Sequence, residues 1–216
     1  MSAPDLVVDL IRHAESKMNV AMADSHGIPF IGGRQNAVEL SRTGRTQACG
    51  LGRYALREGI VPTDVYCSPA VRTRRTQEIS SVVMGLTLSP IIDERLQELD
   101  QGDWTNQPRS LYDEPANKRL MARLGSDFAP PHGESMNDVA ARMEDFFGSL
   151  TLTPDTDLPQ HIWAFTHGVA TKTWAGRLCG WSHERTYKTP IDNVSLTRFA
   201  RKSGRWSLVF LNLRTV

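Results

Sequence analysis

The chain has 216 residues, 40% of them apolar, and 25 Lys or Arg against 24 Asp or Glu give a net charge of +1. That length and apolar content suit one domain spanning residues 1–216 with a buried core. The balanced charge gives no reason to expect nucleic acid or an anionic membrane surface as a partner.

Three cysteines, Cys49, Cys67 and Cys179, are odd in number and irregularly spaced. They read as reduced core thiols of a cytoplasmic protein rather than as a disulfide framework or zinc site. No stretch approaches the ~20 apolar residues of a membrane helix, and no charged lead-in precedes an apolar run. A cytoplasmic location is therefore expected.

Taken in order, Leu6 to Ile11 is an apolar run broken only by Asp9 and reads as a central strand. It delivers Arg12 and His13 at its carboxyl end, where open α/β sheets place their ligands. Residues 21 to 39, rich in Gly, Asn and Ser without a clear period, read as a loop over that site. Ser41 or Thr43 then caps a helix with Ala48, Leu51, Tyr54 and Ala55 on one face, ended by Gly59. Val65-Tyr66-Cys67 is the next strand, and Ser68-Pro69 opens a helix running to about Met84.

A strand near Leu88 to Ile92 leads into an acidic stretch, Glu94 to Asp103, that is unusual for a strand exit. Thr105 to Pro131 contains four prolines and patchy apolar spacing; it reads as a mainly helical insertion and a candidate lid at about 105–131. Ser135 and Asp138 form a capping-box pattern ahead of a helix that turns Val139, Met143, Phe146 and Phe147 inward. Beyond a polar loop, Thr151 to Gln160, the strand Ile162 to Thr166 ends in His167-Gly168-Val169, and a helix runs to Cys179 and stops at Gly180. Val194 to Phe199 and Trp206 to Leu213 read as a closing hairpin. Strands interleaved with helices predict a three-layer α/β/α sandwich, a mostly parallel central sheet with helices on both faces.

If the two His-bearing strand ends lie side by side, His13 and His167 share a pocket with Arg12 and the Arg72-Thr73-Arg74-Arg75 turn. Guanidinium groups bind phosphate through paired hydrogen bonds without help from a metal. An imidazole with an unprotonated nitrogen can attack phosphorus in such a pocket, which makes a phosphohistidine route the working hypothesis. That route needs an acid for the leaving oxygen and later a base for water. Glu98, at the acidic strand exit beside Gly102, is the best placed carboxylate.

Arg12-His13-Ala14-Glu15-Ser16-Lys17-Met18-Asn19 resembles the signature R-H-G-E-(S/T)-x-x-N of the histidine phosphatase superfamily, the phosphoglycerate mutase-like family. Leu40 to Ala48 is similar to its L-T-x-x-G-x-x-Q-A helix and Ser68 to Thr76 to its S-P-x-x-R-(A/T)-x-x-T turn. Leu96-Gln97-Glu98 with Gly102 and Trp104 is similar to the acid-bearing segment, Pro131 to Ser135 to P-G-G-E-S, and Thr166-His167-Gly168 to the second histidine. The resemblance implies the phosphoglycerate mutase-like fold, with His13 as the phosphorylated nucleophile and Glu98 as the proton donor. Arg12, Asn19, Arg72 and His167 would hold the phosphate, and no metal or other cofactor would be needed. Ala14 replaces the usual glycine, Thr105-Asn106 the usual E-G, and His132 a glycine.

These resemblances imply a phosphomonoester hydrolase for a small phosphorylated metabolite. A phosphoglycerate mutase-type phosphotransfer and a non-catalytic phospholigand-binding module are the alternatives, and a homodimer is left open. Less eventful roles are expected elsewhere. Arg74 and Arg75 solvate a helix face, Glu134 fixes the start of the helix at Ser135, and Lys118, Arg119 and Arg123 form an exposed helix face. His26, His132, His161 and His183 are surface or loop residues. Asn19 has a rival role as a cap.

Overall fold

The computed structural model describes residues 5–21, 27–152 and 160–216. His26 and most of the 151–160 loop therefore lie outside the described residues. The strands are β1 (Leu6–Arg12), β2 (Asp64–Cys67), β3 (Ile91–Ile92), β4 (Gln160–Thr166), β5 (Leu196–Lys202) and β6 (Arg205–Leu213). Between them run α1 (Lys17–Val20), α2 (Arg42–Arg57), α3 (Val71–Met84), α4 (Pro115–Leu124), α5 (Met136–Ser149), α6 (Gly168–Cys179) and α7 (His183–Lys188).

The period-two alternation of strand side chains sorts the core into two layers. On β4, Ile162 and Ala164 face Val139, Met143, Phe146 and Phe147 of α5 and Ala170, Trp174 and Ala175 of α6. Trp163 and Phe165 face Ala48, Leu51 and Ala55 of α2 on the other side. The middle of the strand, Ile162 to Phe165, is apolar without a break because it is covered on both faces.

The six strands lie in the order β3-β2-β4-β1-β5-β6. The first four run parallel, β5 is antiparallel to β1, and β5 and β6 form the closing hairpin. This is the expected three-layer α/β/α arrangement.

The β1–β4 register runs from Leu6 opposite Gln160 to Arg12 opposite Thr166. The residues that follow these two strand ends, His13 and His167, are consequently neighbours, and His13 N–H donates to the Thr166 carbonyl at 3.0 Å. Asp9, the polar break in β1, is fully buried between a two-point contact from Arg198 (2.8 and 2.9 Å) and His161 Nε2 at 2.7 Å. Burial pushes its carboxyl pKa up, but the hydrogen bonds from Arg198 and His161 overcome this and hold it below its ordinary value. The stability it contributes is thus present above the unfolded carboxyl pKa of about 3.9 and is lost as pH falls through the lower folded value.

Three details differ from expectation. The strand near Leu88 shrinks to Ile91 and Ile92, since Pro90 has no N–H for a ladder and Asp93 caps a tight turn at Glu94–Leu96. Ser41, and not Thr43, caps α2, accepting from Gly44 N–H at 2.9 Å. His161 is half-buried on Asp9 rather than a free surface residue.

The segment 105–131 is helical as expected, with short turns at Arg109–Asp113 and Gly125–Asp127 flanking α4. Lys118, Arg119 and Arg123 are exposed, and Lys118 pairs with Asp113 at 3.0 Å. Among the described residues, no helix is long and apolar enough to cross a membrane.

Helix α2 is pressed against the loop after β1. A Cβ on Gly44 would lie 2.0 Å from the Glu15 carbonyl oxygen, a backbone atom that cannot swing away. Gly44→Ala should therefore destabilise the protein by about 2 kcal/mol in urea unfolding. Gly148→Ala, on α5 with no atom within 4 Å of the added Cβ, should raise stability by roughly 0.5 kcal/mol in the same measurement.

Candidate active site

At the carboxyl ends of β1 and β4 the two imidazoles meet edge to face, ring centroids 5.1 Å apart. Arg72, two residues into α3, lies between them. Its Nε donates to His13 Nε2 at 3.2 Å, its second terminal nitrogen reaches His167 Nδ1 at 3.2 Å, and its first donates to the Gln35 carbonyl at 2.5 Å. His13, His167 and Arg72 are all buried.

These contacts fix the tautomers. Since a guanidinium only donates, His13 Nε2 must carry a lone pair, and its proton sits on Nδ1, which faces the Ala14 carbonyl at 2.7 Å. His167 is the reverse: Nδ1 accepts from Arg72 while Nε2–H donates to Ser68 Oγ at 2.9 Å. Burial, then the charges of Arg72 and Arg12, push the His13 pKa well below its ordinary value. Burial, followed by Arg72 and His13, does the same to His167.

Arg12 faces the same pocket. One terminal nitrogen donates to the Ile191 carbonyl at 2.5 Å, while its Nε is buried without a partner and lies 3.4 Å from the Cβ position of Gly168. Among the described residues neither Arg12 nor Arg72 is salt-bridged, although Glu98 acts on both through space. Arg72 is buried with neutral hydrogen-bond partners and no ion-pair partner among the described residues, an arrangement that is costly unless an anion is bound.

Glu98 enters from the opposite wall. Its Oε1 accepts from Leu99 N–H at 2.9 Å and its Oε2 from Val169 N–H at 3.3 Å in the first turn of α6. The carboxylate therefore stands over the turn that carries His167.

Its backbone is held from outside the pocket. Arg34 Nε and an Arg142 terminal nitrogen both donate to the Glu98 carbonyl at 3.2 Å. Glu134 binds both arginines, Arg34 at 2.7 Å and Arg142 at 3.1 Å, and accepts from Asp100 N–H. Glu134 is thus the hub of a clamp on Glu98; Ser135 and Asp138 alone cap α5.

Asn19 takes the rival role foreseen for it: its Oδ1 accepts from Ser16 N–H at 3.0 Å and Ser16 Oγ at 2.9 Å, closing a capping box on α1. No bond from its Nδ2 to a described residue accompanies that cap. Arg74 and Arg75 are exposed, Arg75 paired with Glu78. His132 is exposed beside Asp103 with φ +56, the conformation that a glycine at this place would serve without strain. Ala14 has no such φ, so the methyl group there costs nothing in backbone strain.

Several supports were not read from the sequence as such. Thr76 Oγ1 accepts from Ala14 N–H at 3.0 Å, Gln47 Oε1 from Glu15 N–H at 2.8 Å, and Asn193 Nδ2 donates to the His13 carbonyl at 2.9 Å. Thr76 and Gln47 belong to quoted motifs, so their presence was visible while their target was not. No group of three His, Cys, Asp or Glu side chains that could hold a metal occurs among the described residues.

The tautomer assignment is open to nitrogen-15 NMR of labelled histidine, with His13→Gln and His167→Gln to assign resonances. His13 should appear protonated at Nδ1 and stay neutral at pH 6, below the ordinary value of about 6.5. Both histidines bind fewer protons folded than unfolded there, so they should make stability fall as pH drops through about 6.5. A His13 ring that titrates at the ordinary value would contradict the assignment.

Residues 8–214 match the histidine phosphatase superfamily, branch 1. A 2,3-bisphosphoglycerate-dependent phosphoglycerate mutase from Methylobacterium radiotolerans is 30% identical over 165 residues, 74% of this chain and 72% of that protein. An Erwinia tasmaniensis protein named "Probable phosphoglycerate mutase GpmB" is 28% identical over 203 residues, 93% of this chain and 87% of that one. A mycobacterial glucosyl-3-phosphoglycerate phosphatase solved with VO3 superposes with a TM-score of 0.75 at 25% identity, covering 98% and 100% of the two chains. The motifs, the fold and the matched span agree: this chain belongs to the histidine phosphatase superfamily.

Proposed function

We propose that the protein is a phosphomonoester hydrolase that works through a phosphohistidine on a small phosphorylated metabolite. The observation that carries this reading is the pairing of a neutral His13, its lone pair at Nε2, with two guanidiniums, Arg72 buried and Arg12 partly buried, that form no salt bridge with a described carboxylate. A phosphoryl group supplies the missing negative charge.

The steps follow from the contacts. Phosphoryl oxygens take the N–H groups of Arg12 and Arg72, with Asn19 Nδ2 able to add one more, and His167 joins them through Nδ1 once that nitrogen has taken the proton of the bound ester monoanion, which it returns as phosphate leaves. As an oxygen accepts the Arg72 Nε–H, the His13 Nε2 lone pair is released and attacks phosphorus. The bond from phosphorus to the ester oxygen breaks, and Glu98 gives that oxygen its proton, yielding the alcohol and Nε2-phosphohistidine. Water then attacks phosphorus, Glu98 takes its proton, the P–N bond breaks, and His13 returns to its neutral form as phosphate leaves. The guanidinium donors carry the charge, and no metal is assigned a part.

A second reading has support in the two relatives named as phosphoglycerate mutases. A mutase returns the phosphoryl group to another oxygen of the substrate in place of water. With 3-phosphoglycerate as substrate, free phosphate as the product favours the hydrolase, and 2-phosphoglycerate without free phosphate sinks it.

In phosphate-release assays His13→Ala should lose activity by roughly a thousandfold or more, and Glu98→Gln by about 10² to 10⁴. A wild-type rate equal to that of His13→Ala would leave only a binding module. Glu134→Gln should lower kcat by about tenfold or more through misplacement of Glu98, with KM nearly constant. Its kcat would stay at the wild-type level if the clamp did not set the position of the acid.

A further inference from the structure

Beside the phosphate pocket lies a cavity of about 650 Å³. It begins at Leu99 and Val169, the two residues whose N–H groups hold the Glu98 carboxylate. A leaving group whose oxygen is protonated by Glu98 thus has its path directly into this space. We infer that the cavity is the site of the leaving alcohol, and that this alcohol is a ring-bearing apolar group carrying a second negative charge. The inference rests on the hydrolase reading and deepens it.

Size comes first. The volume is in the middle of the ~300–1,000 Å³ range that encloses whole multi-ring ligands, and a three-carbon hydroxy acid would leave most of it to water. The walls are the second observation. Leu99, Tyr112, Met121, Phe128, Met136 and Tyr187 all line it. Tyr112 and Phe128 are backed by Trp104, at centroid distances of 5.2 and 5.5 Å, and the Tyr112 hydroxyl is committed to Gln101 at 3.0 Å. Aromatic faces held in place this way favour stacked or edge-on rings.

Charge is the third. Arg109 and Lys172 both line the cavity. The Arg109 guanidinium has no partner among the described residues, its only bond being backbone N–H to the Pro29 carbonyl. Lys172 Nζ is held to the Tyr187 carbonyl at 2.6 Å and over that ring, and it senses Glu98 and Arg12. The lining carboxylate, Glu134, is already shared between Arg34 and Arg142. Two cations therefore face an apolar space whose acid is occupied, and a carboxylate or second phosphate on the ring would meet them. Of the cations in 105–131, Lys118, Arg119 and Arg123 do not line the cavity, whereas Arg109, exposed like them, does.

The test is a set of alkyl phosphates of comparable leaving-group basicity: glycerol 3-phosphate, 3-phosphoglycerate, benzyl phosphate, and 3- and 4-carboxybenzyl phosphate, each scored by kcat/KM for phosphate release. Benzyl phosphate should exceed the two three-carbon esters by about tenfold or more, and a carboxybenzyl phosphate should exceed benzyl phosphate again. Arg109→Ala and Lys172→Met should shrink the carboxybenzyl-to-benzyl ratio, and Phe128→Ala the benzyl-to-glycerol ratio. Three-carbon esters that match or beat the ring-bearing ones overturn the cavity assignment and leave the hydrolase standing. Ratios that the substitutions do not change overturn the named residues. Failure of wild type to release phosphate from any of the five removes the hydrolase reading, and the inference with it.

Discussion

One guanidinium organises the site. Arg72 stands between two imidazoles and touches an acceptor nitrogen on each, and that single placement decides which nitrogen of each ring carries a proton. A lysine could not do this, because the contacts need a planar group with donors at fixed angles. The cost is a buried charge, and the fold accepts it only because it fixes Arg72 on a helix whose start is itself pinned. Thr73 Oγ1 donates to the Ser68 carbonyl at 2.8 Å, Val71 N–H to the Asn36 carbonyl at 2.8 Å, and Thr76 holds the Ala14 N–H. Preorganisation of this kind is what lets charged donors act on a developing phosphoryl charge without rearranging.

Much of this was legible in the sequence. The apolar run before Arg12-His13 and the one before His167 predict two strands, and parallel pairing of those strands is enough to bring the two rings together. Ala48, Leu51 and Ala55 on one helix, and Val139, Met143, Phe146 and Phe147 on another, mark the two faces of the sheet because each stripe has the helical period and lies opposite a strand that is apolar on both sides. Glu98 stood out because a carboxylate at a strand exit has fewer solvated explanations than one on a helix face.

What the sequence does not show is what each motif residue is bonded to. Gln47 and Thr76 belong to patterns quoted from the chain, yet their purpose, to hold the backbone N–H groups of Glu15 and Ala14, depends on two helices arriving at one loop from distant parts of the chain. Glu134 reads locally as a helix-start residue. Its function as a hub for Arg34 and Arg142 needs three segments that are far apart in sequence. Segment 105–131 gives the same lesson: Lys118, Arg119 and Arg123 form the exposed helix face their spacing suggests, while nothing in the sequence marks Arg109, equally exposed, as the cation that lines the cavity. Period and motif report what lies along one element; contacts between elements have no such signature.

In the proposed route His13 Nε2 is the atom that receives the phosphoryl group. The direct measurement is rapid quench of the enzyme with a phosphorus-32-labelled ester under conditions that preserve phosphohistidine, followed by peptide mapping. Acid-labile label is expected on His13 in the peptide containing Arg12 to Asn19, enriched in Glu98→Gln with a good leaving group because water attack is slowed, and absent in His13→Ala. Turnover in the absence of any labelled His13, or label that persists in His13→Ala, would contradict it.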